Sequence, residues 1–192
     1  VSGAAIYGAF TLAIATLLTV CDALAHVRFH ALHYTRPDHL QLFAGQPTGD
    51  VFVGFVRIGA FCALTGWLCA RRAAPVAASK ALAHVASFVA VYFASALFGA
   101  HPMSLHVAFL ALWAAQLATF EADHLRLVLL SVLLGAAGPS FEGLFVELGF
   151  FAYEAPHAYH VPLWLSPMYM NGALAVAATA RVLEAWRAPR TV

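Results

Sequence analysis

Apolar residues in this chain fall into six long runs, with neither the alternation of a half-buried strand nor the stripe of a surface helix. The runs are Gly3–Leu24, Val51–Ala70, Ala81–Phe98, Ser104–Phe120, Leu127–Phe150 and Leu163–Ala185. Crossing the hydrocarbon of a bilayer takes a helix of roughly 20 apolar residues. A soluble helical bundle would need a polar face on each helix, and these runs have almost none. The pattern predicts an all-α polytopic membrane protein, with one six-helix transmembrane domain over residues 1–192. Most connections are short, so consecutive helices are expected to be antiparallel neighbours. The exception is the segment from Ala25 to Asp50, which predicts a short interfacial helix over Ala25–Tyr34 and then turns at Pro37, Gly45, Pro47 and Gly49.

Composition agrees. Of the 192 residues 62% are hydrophobic and 10% charged, where a soluble domain carries about 25% charged residues. The formal net charge is +1, which leaves no basic footprint for a nucleic acid. Lys and Arg set the expected orientation, because cytoplasmic loops are enriched in them. Arg71, Arg72 and Lys80 follow the second run, Arg126 follows the fourth, and Arg181, Arg187 and Arg190 end the chain. With six crossings all of these share one side, while the opposite loops hold Arg28 and Arg36. Both termini are therefore predicted to be cytoplasmic. Cys21, Cys62 and Cys69 lie inside apolar runs and read as small core residues, not as a disulfide framework.

Polar residues inside apolar runs ask for a reason, since a charge in the hydrocarbon is costly. Glu142 and Glu147 lie in the fifth run, after Gly135, Gly138 and Pro139. A proline there predicts a kink or break. Arg57 enters the second run from the same side and at a comparable depth, which predicts an ion pair with Glu142 or Glu147. The alternative is a polar end to a ligand cavity, meeting a head group. His26, His30 and His33 have the spacing of one helical face, but no metal motif surrounds them and no metal or other cofactor is expected. Asp22 and His26 are one turn apart, a spacing common on surfaces. No nucleophile elbow, Walker loop or dinucleotide fingerprint occurs, so catalytic residues are not assigned. Phe150, Phe151, Tyr153, Tyr159 and Trp164 read as an aromatic belt at the membrane interface. Pairs of small residues, Ala4 with Gly8 and Ala5 with Ala9, and Gly172 among the alanines of the sixth run, read as close helix packing.

The segment G-F-F-A-Y-E-A-P at Gly149–Pro156 resembles the G-V-Y-Q-Y-T-S-P of the Insig (insulin-induced gene) family, with Gly149, Tyr153 and Pro156 matching. Without a gap, Trp164, Leu165, Gly172 and Arg181 also fall on family positions. Upstream, A-S-A at Ala94–Ala96 resembles the family's H-A-S-A, and T-F-E at Thr119–Glu121 its T-F-D. The likeness covers roughly the last hundred residues. It implies a non-enzymatic six-helix protein that binds a sterol among its helices and retains or regulates membrane partners. The family resides in the endoplasmic reticulum; a bacterial member would reside in the inner membrane. The family's aromatic near the sterol aligns with Phe88, its cavity glutamine with Ser104, and its partner-binding acid with Glu121. The basic cluster after that acid is replaced by Ala122, Asp123 and His124. In a bacterial member the expected occupant is a two-tailed lipid such as diacylglycerol.

The expected ligand site therefore combines Phe88, Ser104, Phe141, Glu142, Phe145 and Arg57, with Glu121 facing a protein partner and a homo-oligomer as the assembled form. The competing readings are a membrane-embedded enzyme of lipid or isoprenoid metabolism using Glu142 as acid or base, and a small carrier.

Overall fold

The computed structural model describes residues 2–35, 41–43 and 45–187. Arg36 and Pro37 of the long loop and Arg190 near the C-terminus lie outside the described residues. Six α-helices make up the fold: α1 (Gly3–Cys21), α2 (Thr48–Ala70), α3 (Ala78–Leu97), α4 (Pro102–Ala118), α5 (His124–Glu147) and α6 (Leu165–Arg187). A π-helical turn, Asp22–Val27, extends α1. Two short strands, β1 (Leu32–Tyr34) and β2 (Phe151–Tyr153), pair antiparallel with Leu32 opposite Tyr153 and Tyr34 opposite Phe151. The all-α multi-pass bundle read from the apolar runs is the observed fold.

The bundle is built around α6, which packs against α2, α3, α4 and α5. Its sequence explains that position. Ala173, Ala177, Ala178 and Ala180 are fully buried, and small side chains let neighbouring helices approach closely in lipid. Gly172 faces the Phe88 ring, and Gly66 of α2 faces Val176 of α6. The small residues of α1 behave differently: Ala4, Ala5, Gly8 and Ala9 are exposed, so they do not serve packing within the bundle. Between α1 and α2 the close approach comes instead from Gly59, whose missing side chain leaves room for the Thr11 carbonyl.

As the central helix, α6 also joins a buried polar chain that runs across to α3 and α4. Asn171 is fully buried. Its Nδ2 donates to the carbonyls of Phe109 (2.9 Å) and Pro167 (2.8 Å). Its Oδ1 accepts from Gln116 Nε2 at 2.6 Å, and Gln116 Oε1 contacts His84 Nδ1 at 2.7 Å. The direction of each bond is thereby set: Gln116 Nε2 is the donor toward Asn171, so His84 Nδ1 must carry the hydrogen toward Gln116 Oε1. Arg181 is a further departure from the charge count. It is a buried residue of α6, not a loop residue, with its guanidinium 3.4 Å from Asp123 and stacked 5.3 Å over Phe120. Lys80 approaches the same ring at 5.3 Å. Phe120 thus contacts two cations, and the loop joining α4 to α5 is pinned to the bundle next to exposed Glu121.

Of two local expectations, the break at Pro139 is absent and the interfacial helix is shorter than expected. Helix α5 runs unbroken through Pro139. Ser140 Oγ bonds the Ala136 carbonyl, and Gly135 and Gly138 let α6 pack against this stretch through Ser166, Met170 and Tyr169. The neighbouring helix thus supports the backbone that a proline weakens. The interfacial helix expected over Ala25–Tyr34 ends at Val27. His30 takes a left-handed backbone conformation (φ 56°), and the chain turns into β1. His26, His30 and His33 therefore do not share a helical face. Among the described residues no three His, Cys, Asp or Glu side chains converge as a metal site.

Candidate functional site

The C-terminus of α5 sets up the site. Gly149 has φ +73°, a left-handed conformation that suits glycine at the residue after a helix cap. Its N–H bonds the Val146 carbonyl and the Phe150 N–H bonds the Phe145 carbonyl, both at 2.9 to 3.0 Å. This paired closure ends the helix and turns the chain directly into β2, laying Tyr153 back over the last turns of α5. The Tyr153 hydroxyl donates to Glu142 Oε2, and Tyr169 of α6 donates to Glu142 Oε1. Both carboxylate oxygens are thus held by neutral donors.

Arg57 was the expected partner, and the structure corrects that. Among the described residues Arg57 forms no ion pair with Glu142 or Glu147; its side chain is exposed on α2, and Glu147 is exposed on α5. Position along a helix sets depth in the bilayer, but the direction a side chain takes around the axis depends on packing. Two tyrosines satisfy the carboxylate at no cost in buried positive charge.

Between α2 and α5, under the β1–β2 ribbon, lies a cavity of about 360 Å³. Phe141, Phe145 and Ile58 give it apolar walls, and Val53 and Arg57 lie on its exposed side. A second cavity of about 230 Å³ shares Arg57, Ile58 and Phe141 with the first and runs on past Cys62, Leu134 and Tyr169. Volumes of this order, apolar walls and a few convergent polar groups are the usual make-up of small-molecule sites. Four of the six expected ligand residues, Arg57, Phe141, Glu142 and Phe145, line the larger cavity. Phe88 and Ser104 do not. Phe88 packs inside the bundle on Gly172 and edge-on to Tyr92. Ser104 is exposed on α4, a helix whose neighbours are α3 and α6.

The polar end of the cavity holds residues that sequence spacing did not single out. Asp22 and His26 are buried in the π-helical turn and line the cavity. Asp22 Oδ2 accepts from the Tyr34 hydroxyl at 2.8 Å and from Gln46 Nε2 at 2.7 Å. Gln46 also donates to the Thr19 carbonyl at 3.2 Å, capping the end of α1. His26 Nε2 lies 2.9 Å from Ser95 Oγ, and its ring stacks 4.3 Å from Tyr92. Burial pushes the Tyr34 phenol well above its ordinary range, with the Asp22 charge adding to the effect, so its hydroxyl stays a donor. The signal for this group was an acid and a histidine four residues apart at the end of an apolar run. A surface pair would look the same, and only the π turn and the ribbon bury it. Tyr153 and Trp164 were expected at the membrane interface. Both are buried, with rings 6.0 Å apart, and Tyr159 is the exposed aromatic of that segment.

No family model matches the sequence, and no curated protein sequence matches it. Two solved structures do resemble it. One is a mycobacterial Insig homolog, MvINS from Mycobacterium vanbaalenii, and the other is a cross-linked trimer of MvINS. Each superposes with a TM-score of 0.83 at 23% sequence identity, over 96% of this chain and 97% of the other. Four of its helices are long and apolar enough to cross a membrane; α4 is a shorter apolar helix, and α6 is the polar-bearing centre. The chain thus has the six-helix membrane-bundle fold of the mycobacterial Insig homolog, and it is Insig-like in the architecture of its membrane domain.

Proposed function

We propose that this protein is a non-enzymatic, Insig-like membrane protein that binds a lipid in the cavity between α2 and α5. The observation that carries the reading is one cavity with two kinds of wall: Phe141 and Phe145 for acyl or ring carbon, and a polar end under the ribbon for a head group. The cavity's exposed side on α2 gives a lipid a lateral route from the bilayer. A sterol-like or diacyl lipid, diacylglycerol among them, fits this division. Glu142, held at both oxygens by tyrosine hydroxyls, is on this reading a positioned polar group of the cavity wall. On this reading both termini are cytoplasmic, and exposed Glu121 on the pinned α4–α5 loop meets a membrane partner. MvINS has been crystallised as a cross-linked trimer. We extend a homo-oligomer to this chain, with the exposed small residues Ala4, Ala5, Gly8 and Ala9 of α1 as a face that allows close approach. Chemical cross-linking in native membranes that yields monomer alone would remove that extension.

Gly54 provides the direct test of the cavity. It lines the cavity on α2, and a Cβ there meets nothing within 4 Å. Gly54→Phe is expected to fold normally, because an interior helical glycine is itself unfavourable by about 1 kcal/mol. It is expected to abolish co-purification of a stoichiometric lipid, read by native mass spectrometry with lipid extraction. The same lipid retained at the same stoichiometry would refute the site. Turnover of a lipid extract that is lost in Glu142→Gln would favour the enzyme reading instead.

A further inference from the structure

We infer that Arg57 anchors an anionic group, a carboxylate or a phosphate, on the lipid that the cavity holds, with the hydrocarbon of that lipid in the two cavities that meet beside it. The inference rests on the lipid-binding reading above and deepens it by assigning the ligand's charge. Helix α2 is long and apolar enough to cross a membrane. Arg57 stands about 13 Å along its axis from Thr48, the first residue of the helix. Between Val51 and Ala70 it is the one charged side chain. A charge at such a depth is costly, and intramembrane arginines as a rule face a cavity and pair with another group there. Arg57 has the cavity but not the partner. Among the described residues it makes no ion pair, hydrogen bond or cation–π contact.

The acids of the cavity wall are engaged elsewhere. Glu142 accepts from Tyr153 and Tyr169, and Asp22 from Tyr34 and Gln46. Asp50 lies in the first turn of α2, about 10 Å of helix rise from Arg57. The surroundings of Arg57 say what kind of anion fits. The larger cavity and the smaller one share Arg57, Ile58 and Phe141. One lies under the ribbon, and the other continues past Cys62 and Leu134. A guanidinium between two apolar cavities is complementary to an acid that brings its own hydrocarbon. Its planar fork matches a carboxylate or a phosphate with two parallel hydrogen bonds. A small anion from water would leave the apolar walls on both sides uncovered. Arg57 lies on the cavity's exposed side, so an acid in the bilayer reaches it laterally without crossing the buried interior. The polar end under the ribbon is left for the uncharged polar atoms of the head group.

The test is a competition among four lipids of matched acyl chain, presented together to the purified full chain in a neutral detergent and read by native mass spectrometry. They form two pairs: a fatty acid with a monoacylglycerol, and a phosphatidic acid with a diacylglycerol. In at least one pair the acid is expected to be retained about tenfold or more over its uncharged counterpart, the scale of one charge-assisted hydrogen bond. A preference in the first pair names a carboxylate as the anion, and in the second a phosphate. Arg57→Gln is the paired variant. The side chain is exposed, so the variant is expected to fold with an unchanged Tm and to bring the ratio to about one. Arg57→Lys keeps the charge and is expected to keep part of the preference; a lysine variant as indifferent as the glutamine variant overturns the anchor. Equal retention of acid and uncharged lipid by the wild type, or a preference that survives in Arg57→Gln, also overturns it and leaves lipid binding standing. Loss of a cross-linked oligomer in Arg57→Gln with the preference unchanged would give Arg57 to an acid on a second copy of the chain instead. If Arg57→Gln does not fold, the wild-type competition and Arg57→Lys decide. Retention of none of the four, with no lipid co-purifying, overturns the lipid-binding reading itself.

Discussion

Asn171→Asp is expected to destabilise the bundle by about 3–5 kcal/mol, although the two side chains have nearly the same shape. Asn171 Nδ2 donates to the Phe109 and Pro167 carbonyls, and both bonds are buried. Replacing that nitrogen by oxygen sets an acceptor against two acceptors, and ionisation would add an uncompensated buried charge. The Gln116–His84 chain would be disturbed least, since the aspartate still accepts from Gln116 Nε2. The loss is large against the stability of a whole domain, about 5–15 kcal/mol. Asn171→Ala removes the side chain altogether and should cost no more than Asn171→Asp. Thermal denaturation in a mild detergent gives the comparison. An aspartate variant as stable as wild type would show that the hydrogen-bond directions assigned around α6 are wrong.

The second large effect is expected at Gly138. A Cβ there would overlap the Tyr169 ring, the side chain that holds Glu142 Oε1. Gly138→Ala therefore joins two opposing terms. Alanine favours the helix over glycine by about 1 kcal/mol, whereas forcing an atom into a packed interface costs about 1–3 kcal/mol. Losing the Tyr169–Glu142 hydrogen bond in the interior adds about 1–3 kcal/mol. The clash wins, and a net loss of about 2–4 kcal/mol is expected. Tyr169→Ala frees the space, so the double variant Gly138→Ala/Tyr169→Ala should be no less stable than Tyr169→Ala alone. This negative coupling is the signature of direct contact. Additive losses would mean that Gly138 and Tyr169 act independently and that the α5–α6 packing described here is incorrect. The same pair bears on the cavity, because Gly138 and Tyr169 both line its smaller arm. A displaced Tyr169 would change lipid retention as well as stability.

The boundary between sequence and structure at the site runs through particular residues. Phe141, Glu142 and Phe145 sit within one turn of a single apolar run, so any fold that buries one side of that helix brings them together. Arg57 reaches the same cavity because depth can be counted from the helix end. Phe88 and Ser104 were carried over by resemblance alone. Alignment preserves a place along a helix, but the face that place occupies is set by packing: Phe88 meets Gly172 and Tyr92, and Ser104 is exposed on α4. Asp22 and His26 were passed over because their spacing is equally that of a solvated surface. Their burial depends on β1 pairing with β2 across more than a hundred residues of chain and on Gln46 folding back onto α1.

What the sequence by itself determined is the class of solvent and the number of crossings. Six runs of apolar residues leave a helix no option but the bilayer, because each backbone group in hydrocarbon must be bonded within its own segment. Tertiary structure alone decided which polar groups meet. Lipid-facing and protein-facing surfaces of such helices are both apolar, so the sequence carries little record of which way each helix is turned. That rotation gave Glu142 two tyrosines in place of Arg57, made α6 the centre of the bundle, and closed Asp22 and His26 against the end of a cavity.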